Sequence, residues 1–219
     1  MKGTAKRSSR DSVKVSPVAS TTQSGPSSET ARHLFECALT LFAEKGYEAT
    51  SVREIINAAG VTQPTLYYYC ESKQDLFLKL VRRTYEQSLQ QLQKVIEQTT
   101  GCESRLRAIA IASFSGCAAD IRVPKLMFQT AFGPPIAGIT ETMRELAGKR
   151  FSTVLEVIQS GIKSGELEAE SADGLTLAFC CLLDQHVNIL IREPNWQKLL
   201  TPKHANWLVS LFLNGATNS

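Results

Sequence analysis

Three histidines, six cysteines and scattered carboxylates are this chain's candidates for acid–base, nucleophilic or metal chemistry, and their spacing suits none of these. His33, His186 and His204 stand far apart along the chain. Cys37, Cys70, Cys102, Cys117, Cys180 and Cys181 form no C-x-x-C pair beside a histidine, and no glycine-rich loop could cradle a phosphate. No catalytic residue, metal ligand or cofactor is therefore expected, and the thiols fit a reducing cytoplasm better than a disulfide framework. A different chemistry is concentrated just after Ser51. Arg53 brings a planar fork shaped for guanine O6 and N7 or for a phosphate, and Gln63 brings an amide shaped for an adenine edge. Pro64 and the methyls of Thr62 and Thr65 can lie against a thymine methyl.

Short helices must carry these side chains. Ser51-Val52-Arg53-Glu54 has the spacing of a capping box, Ile55, Ile56 and Ala59 give an apolar face, and Gly60 is a stop signal. Thr62 can cap the next helix, with Pro64 tolerated in its first turn. Two short helices separated by Gly60-Val61-Thr62 have the spacing of a helix-turn-helix, in which the first helix braces the second against the major groove. Upstream, Ala31, Leu34, Phe35, Ala38, Leu39 and Phe42 recur at spacings of three and four until Gly46. Downstream, Ser72 caps a long helix whose apolar positions Leu76, Leu80, Leu89, Leu92 and Ile96 carry it to about Gln98. Further helices are predicted near 103–119, 122–131, 136–164, 171–192 and 203–214. With no run of strands and no repeat, the chain reads as all-α.

The wider string closely resembles one family. Phe42-Ala43-Glu44-Lys45-Gly46-Tyr47, Thr50-Ser51-Val52-Arg53-Glu54-Ile55, Ala59-Gly60-Val61-Thr62, Thr65-Leu66-Tyr67-Tyr68-Tyr69 and Ser72-Lys73-Gln74-Asp75-Leu76 are similar, in order and spacing, to the DNA-binding domain of TetR-family transcriptional regulators. The resemblance covers about residues 29–80. It implies a three-helix DNA-binding domain over 28–88, joined by the long helix to a larger ligand-binding and dimerisation domain over 89–219. It also implies a homodimer that holds double-stranded operator DNA and releases it when a small molecule binds. Ser51, Arg53, Thr62, Gln63, Pro64 and Thr65, with Tyr67, Tyr68, Tyr69 and Lys73, would then face DNA, with Ser51, Tyr67, Tyr69 and Lys73 mainly toward phosphates. Where the family usually has His then Phe, this chain has Tyr69 and Cys70, and Cys70 is expected to fill the aromatic's core position.

The C-terminal half is less explicit. Met127, Phe128, Phe132, Met143 and Phe151, with His186, could line an apolar effector pocket, or the apolar ones could be plain core. Leu175, Ala178, Leu182 and Ile189, with Trp207, Leu208, Leu211 and Phe212, form stripes expected at a dimer interface. Asp184, Gln185, His186 and Asn188 interrupt that helix and could set dimer register, face solvent or orient a ligand. Residues 1–27 are polar and basic, too poor in apolar side chains to fold, and either solubilise the chain or lie along DNA. Residues 1–28 alone carry a net +4 against +3 for the whole chain, so bulk charge says little about nucleic acid. No segment has the apolar length of a membrane span, and the basic start lacks the apolar stretch of a secretory signal. Control by a protein partner or by thiol oxidation, instead of a ligand, is the competing expectation.

Overall fold

The computed structural model describes residues 27–168 and 171–216, which form helices joined by short connections, with no strand among the described residues. The expected tail therefore lies outside the described residues, except for Ser27. The Ser27 hydroxyl accepts from the Thr30 amide and caps α1 (Ser28–Ala49). Gly46, at φ 81°, breaks the regular turn of α1 where the sequence predicts a stop. The buried Thr50 hydroxyl then donates to the Gly46 carbonyl at 2.8 Å, which fixes the exit of the chain.

α2 (Val52–Ala59) and α3 (Gln63–Tyr69) follow, joined by Gly60 in the left-handed region. α4 (Lys73–Glu97) is the long connector. Leu34, Ala38, Leu39 and Phe42 of α1 pack with Ile55, Leu66, Leu76, Phe77, Leu80 and Val81 into one core. An edge-to-face pair, Phe42 on Phe77 at 5.0 Å, sits at its centre.

Beyond α4 run α5 (Cys102–Ala119), α6 (Arg122–Phe132), α7 (Ile139–Ser164), α8 (Ala172–Leu190), the four-residue α9 (Trp196–Leu199) and α10 (Pro202–Ala216). α7 starts three residues later than the periodicity suggests. Gly138 has φ 75°, and a Cβ there would meet the Gln74 side-chain nitrogen at 2.6 Å, so this segment is shaped to dock on α4 rather than to continue a helix. α5, the later turns of α7, α8 and α10 enclose a second core that includes Leu106, Ile109, Phe114, Val154, Ile158, Phe179 and Leu183.

The packing does not divide at residue 88. Leu126 of α6 and Ile139, Met143 and Leu146 of α7 join the first core, beside α1 and α4. α6 is additionally held on α1 by polar contacts. Arg122 donates to the Thr40 hydroxyl and the Glu36 carboxylate, each at 2.8 Å, and Gln129 donates to the Ala43 carbonyl at 3.2 Å.

Candidate nucleic-acid interface and ligand cavity

The two short helices owe their placement to caps and one apolar seam. The Ser51 hydroxyl accepts from the Glu54 amide at 3.2 Å, and the Glu54 carboxylate accepts from the Ser51 amide at 2.8 Å, which completes the capping box. Lys45 donates to the same carboxylate at 2.6 Å. These hydrogen bonds, from Lys45 first and then Ser51, lower the Glu54 carboxyl from an ordinary 4.5 to about 2. In α3 the Thr62 hydroxyl accepts from the Thr65 amide at 3.3 Å. Leu66, fully buried, and Cys70, nearly so, then anchor α3 against the core.

This anchoring leaves one face of α3 outward. Thr62, Gln63 and Pro64 are exposed, Thr65 is half-buried, and Tyr67 and Tyr68 are 44% and 67% exposed. On α2, Arg53 is exposed and Ser51 stands exposed at the N-cap. Two of the sequence-predicted contacts already have partners inside the protein. The Tyr69 hydroxyl donates to the Ser27 carbonyl at 2.8 Å, tying the end of α3 to the start of α1. The Lys73 ammonium donates to the Tyr47 carbonyl at 3.0 Å and lies 4.2 Å from the centre of the Tyr47 ring. Cys70 occupies the interior as expected, its thiol donating to the Leu66 carbonyl at 3.3 Å, and burial pushes it up to about 11. Such a thiol is not a thiolate at neutral pH.

A cavity of about 620 Å³ lies under α4, walled by α5, α6, α7 and α8. That is within the range of small-molecule sites. Met127, Phe128, Phe132 and Met143 line it, as the sequence suggests. Phe151 and His186 do not. Phe151 packs against the second core instead. His186 turns the other way and meets His204, Nε2 to Nε2, at 2.8 Å, beside Phe114 and Trp207. Two imidazoles distant in sequence are thus neighbours, because α10 folds back along α5 and α8. Burial and the neighbouring His204 lower the His186 pKa.

Sequence reasoning missed the polar part of the cavity. Arg150 and Asp184 form a two-pronged ion pair between α7 and α8, Nη1 to Oδ1 at 2.8 Å and Nη2 to Oδ2. Although burial opposes charge, the Asp184 carboxylate holds the Arg150 guanidinium above its ordinary value. Tyr85, Ser113 and Cys117 line the same wall. The signal was present in Asp184, the one carboxylate past the first turn of an apolar helix, but its partner lies 34 positions upstream on another helix. The rest of that quartet is accounted for locally. Gln185 accepts from Asn188 at 3.4 Å, and Arg192 donates to Asn188.

The presumed dimer stripes need correcting in part. Leu208 and Phe212 face the chain's own core, at 2% and 8% exposure, and Leu175 and Leu182 pack half-buried against it. Their stripe is turned inward because α10 must cover α5. Ala178, Ile189, Trp207 and Leu211 are exposed, and Leu177, which the sequence stripe omitted, joins them.

With this geometry in hand, the comparisons with known proteins are direct. Residues 34–80 match the profile of the bacterial regulatory proteins of the tetR family. Over those residues the chain carries a DNA-binding domain of TetR type. Among TetR-family relatives, the transcriptional activator FasR of Mycolicibacterium smegmatis is 30% identical over 107 residues, about half the length of each chain. The fold is shared more widely. The transcriptional regulator FadR from Bacillus subtilis, solved in complex with stearoyl-CoA, superposes with a TM-score of 0.74 at 19% identity, covering 84% of this chain and 98% of that one. The ketosteroid transcriptional regulator KstR2 of Mycobacterium tuberculosis gives 0.70 at 19% identity, covering 89% and 98%. Among the described residues no helix is long and apolar enough to cross a membrane.

Proposed function

We propose that this chain is a dimeric transcriptional regulator that binds operator DNA through α2 and α3 and lets go when a hydrophobic molecule fills the cavity under α4. The observation that carries this reading is shared walls. α6 turns Met127 and Phe128 toward the cavity and sets Leu126 and Arg122 against α1, while α4 runs from the cavity into the first core. A ligand that alters the spacing of α4 and α6 therefore acts on the seat of the DNA-facing helices without touching them. The relatives agree in kind, being regulators, one of them solved with an acyl-CoA and one named for ketosteroids.

In this reading Gln63, Pro64 and Thr65 meet base edges, and Ser51, Arg53, Tyr67, Tyr68 and Lys73 meet phosphates, while Tyr69 holds the end of α3 to the start of α1. The exposed apolar face of Leu177, Ala178, Ile189, Trp207 and Leu211 joins two copies, so that two recognition helices read two half-sites. Thiol control is not favoured, because burial keeps the Cys70 thiol protonated. The test is a binding assay on the gene's own upstream DNA, with and without a panel of hydrophobic metabolites. Specific, competitor-resistant binding abolished by one compound is expected. Specific binding that no compound disturbs would overturn the ligand-release reading.

A further inference from the structure

The polar wall of the cavity has more donors than the protein can use. Both Arg150 terminal nitrogens are taken by Asp184, and the Arg150 Nε is fully buried with no hydrogen-bond partner. Among the described residues, neither the Tyr85 hydroxyl nor the Ser113 hydroxyl, on the same cavity wall, has a partner either. A fully buried donor is almost always satisfied, so the idle Nε, with two hydroxyls that open onto the same cavity, calls for an explanation. Leu92, Phe128, Met143, Leu183 and Val187 leave the remaining surface apolar.

We propose that this wall recognises a single neutral hydrogen-bond acceptor, of carbonyl type, on an otherwise apolar effector. The inference rests on the reading of the cavity as the effector site and specifies the chemistry of that effector. Neutrality follows from the ion pair. Asp184 already cancels the Arg150 charge, so a carboxylate or phosphate brought to this wall would be an uncompensated charge among apolar side chains. A carbonyl oxygen makes no such demand, and its lone pairs can accept from the hydroxyls that line the cavity. Tyr85 stays a neutral phenol well past neutral pH, since burial raises its pKa, and so remains a donor. The other cation lining the cavity, Arg144, is exposed and paired with Glu141 at 2.8 Å, which puts any anionic part of an effector at the rim.

The test uses the full-length protein and three matched probes: 2-acetylnaphthalene, 2-ethylnaphthalene and 2-naphthoate. Each displaces the neutral dye N-phenyl-1-naphthylamine, whose fluorescence rises on entering an apolar site. The comparison protein is the double variant Arg150→Met/Asp184→Leu, which removes the pair together and leaves no lone buried charge. Tyr85→Phe is the milder second variant, which leaves the ion pair intact. The ketone's advantage over its ethyl isostere, measured as a ratio of dissociation constants, should be about tenfold larger in the natural protein than in the double variant. In Tyr85→Phe it should fall by about threefold. Taking the ratio within each protein cancels differences in probe solubility. Dye uptake with the same ratio in all three proteins would overturn the proposal and leave the cavity reading standing. A naphthoate that binds tightest, and loses that lead in the double variant, would overturn the neutral acceptor in favour of an anion. No dye uptake by the natural protein would overturn the cavity reading and this proposal with it.

Discussion

Arg122→Met tests whether α6 is fastened to the DNA-binding unit by polar contacts or only by packing. The Arg122 side chain makes four hydrogen bonds, and they are not equivalent. Two go to Asp120, two residues back at the C-cap of α5, and stiffen the α5–α6 junction. The other two, to Thr40 and Glu36, cross to α1. The Arg122 side chain is 32% exposed and Glu36 is 50% exposed, so that ion pair is heavily screened and belongs at about 0.5 kcal/mol. The hydroxyl contact adds about 1 kcal/mol. Methionine keeps the apolar stem, and Asp120 and Glu36 are wet enough to be resolvated. The expected loss is therefore about 1–2 kcal/mol, or roughly 2–6 °C in melting temperature for a chain of this size. Urea unfolding by circular dichroism measures it. Asp120 supplies a sign check, since its carboxyl is lowered, first by the Arg122 hydrogen bonds, from an ordinary 3.8. A lowered carboxyl stabilises above its unfolded value and loses that contribution as pH falls through the folded one. The gap between natural protein and variant should accordingly narrow below about pH 3.8 and at high salt. A loss under about 0.3 kcal/mol, or one indifferent to both pH and salt, would refute this account of the α1–α6 contact.

Three further outcomes follow from exposed or capping groups. Arg53→Ala should weaken operator binding and reduce the salt slope by about one unit, whereas Gln63→Ala should relax one base position by about 1–3 kcal/mol with the slope unchanged. Competition titrations over a salt series separate the two, and a uniform loss across all operator variants for Gln63→Ala would count against base readout. Trp207→Glu, at a side chain 54% exposed, should give a monomer by light scattering with lower operator affinity. An unchanged dimer would move the interface elsewhere. Ser51→Ala should lower the melting temperature by about 2–4 °C at neutral pH through loss of the helix cap. That gap should narrow as pH falls from 4.5 toward about 2, because the Ser51 hydroxyl's bond to the Glu54 carboxylate is lost as that carboxyl protonates, while its bond from the Glu54 amide remains. A gap constant across that range would show that the box is not what places α2.

The DNA-facing half was legible because its signals are local. Ser51, Gly60, Thr62 and Ser72 each act within four positions, through a cap or a left-handed turn, and each does so in the structure. Helix bounds beyond α4 were close for the same reason. What escaped was set by packing between distant segments. Leu208 and Trp207 are adjacent, yet one is buried and the other exposed, and only the angle at which α10 crosses α5 decides which. The periodic stripe on α10 is wide enough to read either way. His186 looked like a pocket residue because nothing in the sequence brings His204 to it. Arg150 carries no such signal in the sequence, because only the fold sets Asp184 opposite it.

That last pairing bears on how the cavity could have been kept. A buried ion pair is seldom retained for stability, since well-packed apolar residues of similar volume do as well or better. The Arg150–Asp184 pair joins α7 to α8 across a cavity wall, and its arginine has one donor left over. If the pair served only to clamp two helices, the leftover Nε would be a pure cost, and an apolar pair would be the better clamp. Placed on the wall of a small-molecule-sized cavity, beside two other idle hydroxyls, the same donor becomes a means of discrimination among apolar molecules of similar shape. On the proposed reading, selectivity among effectors accounts for an arginine that stability alone does not.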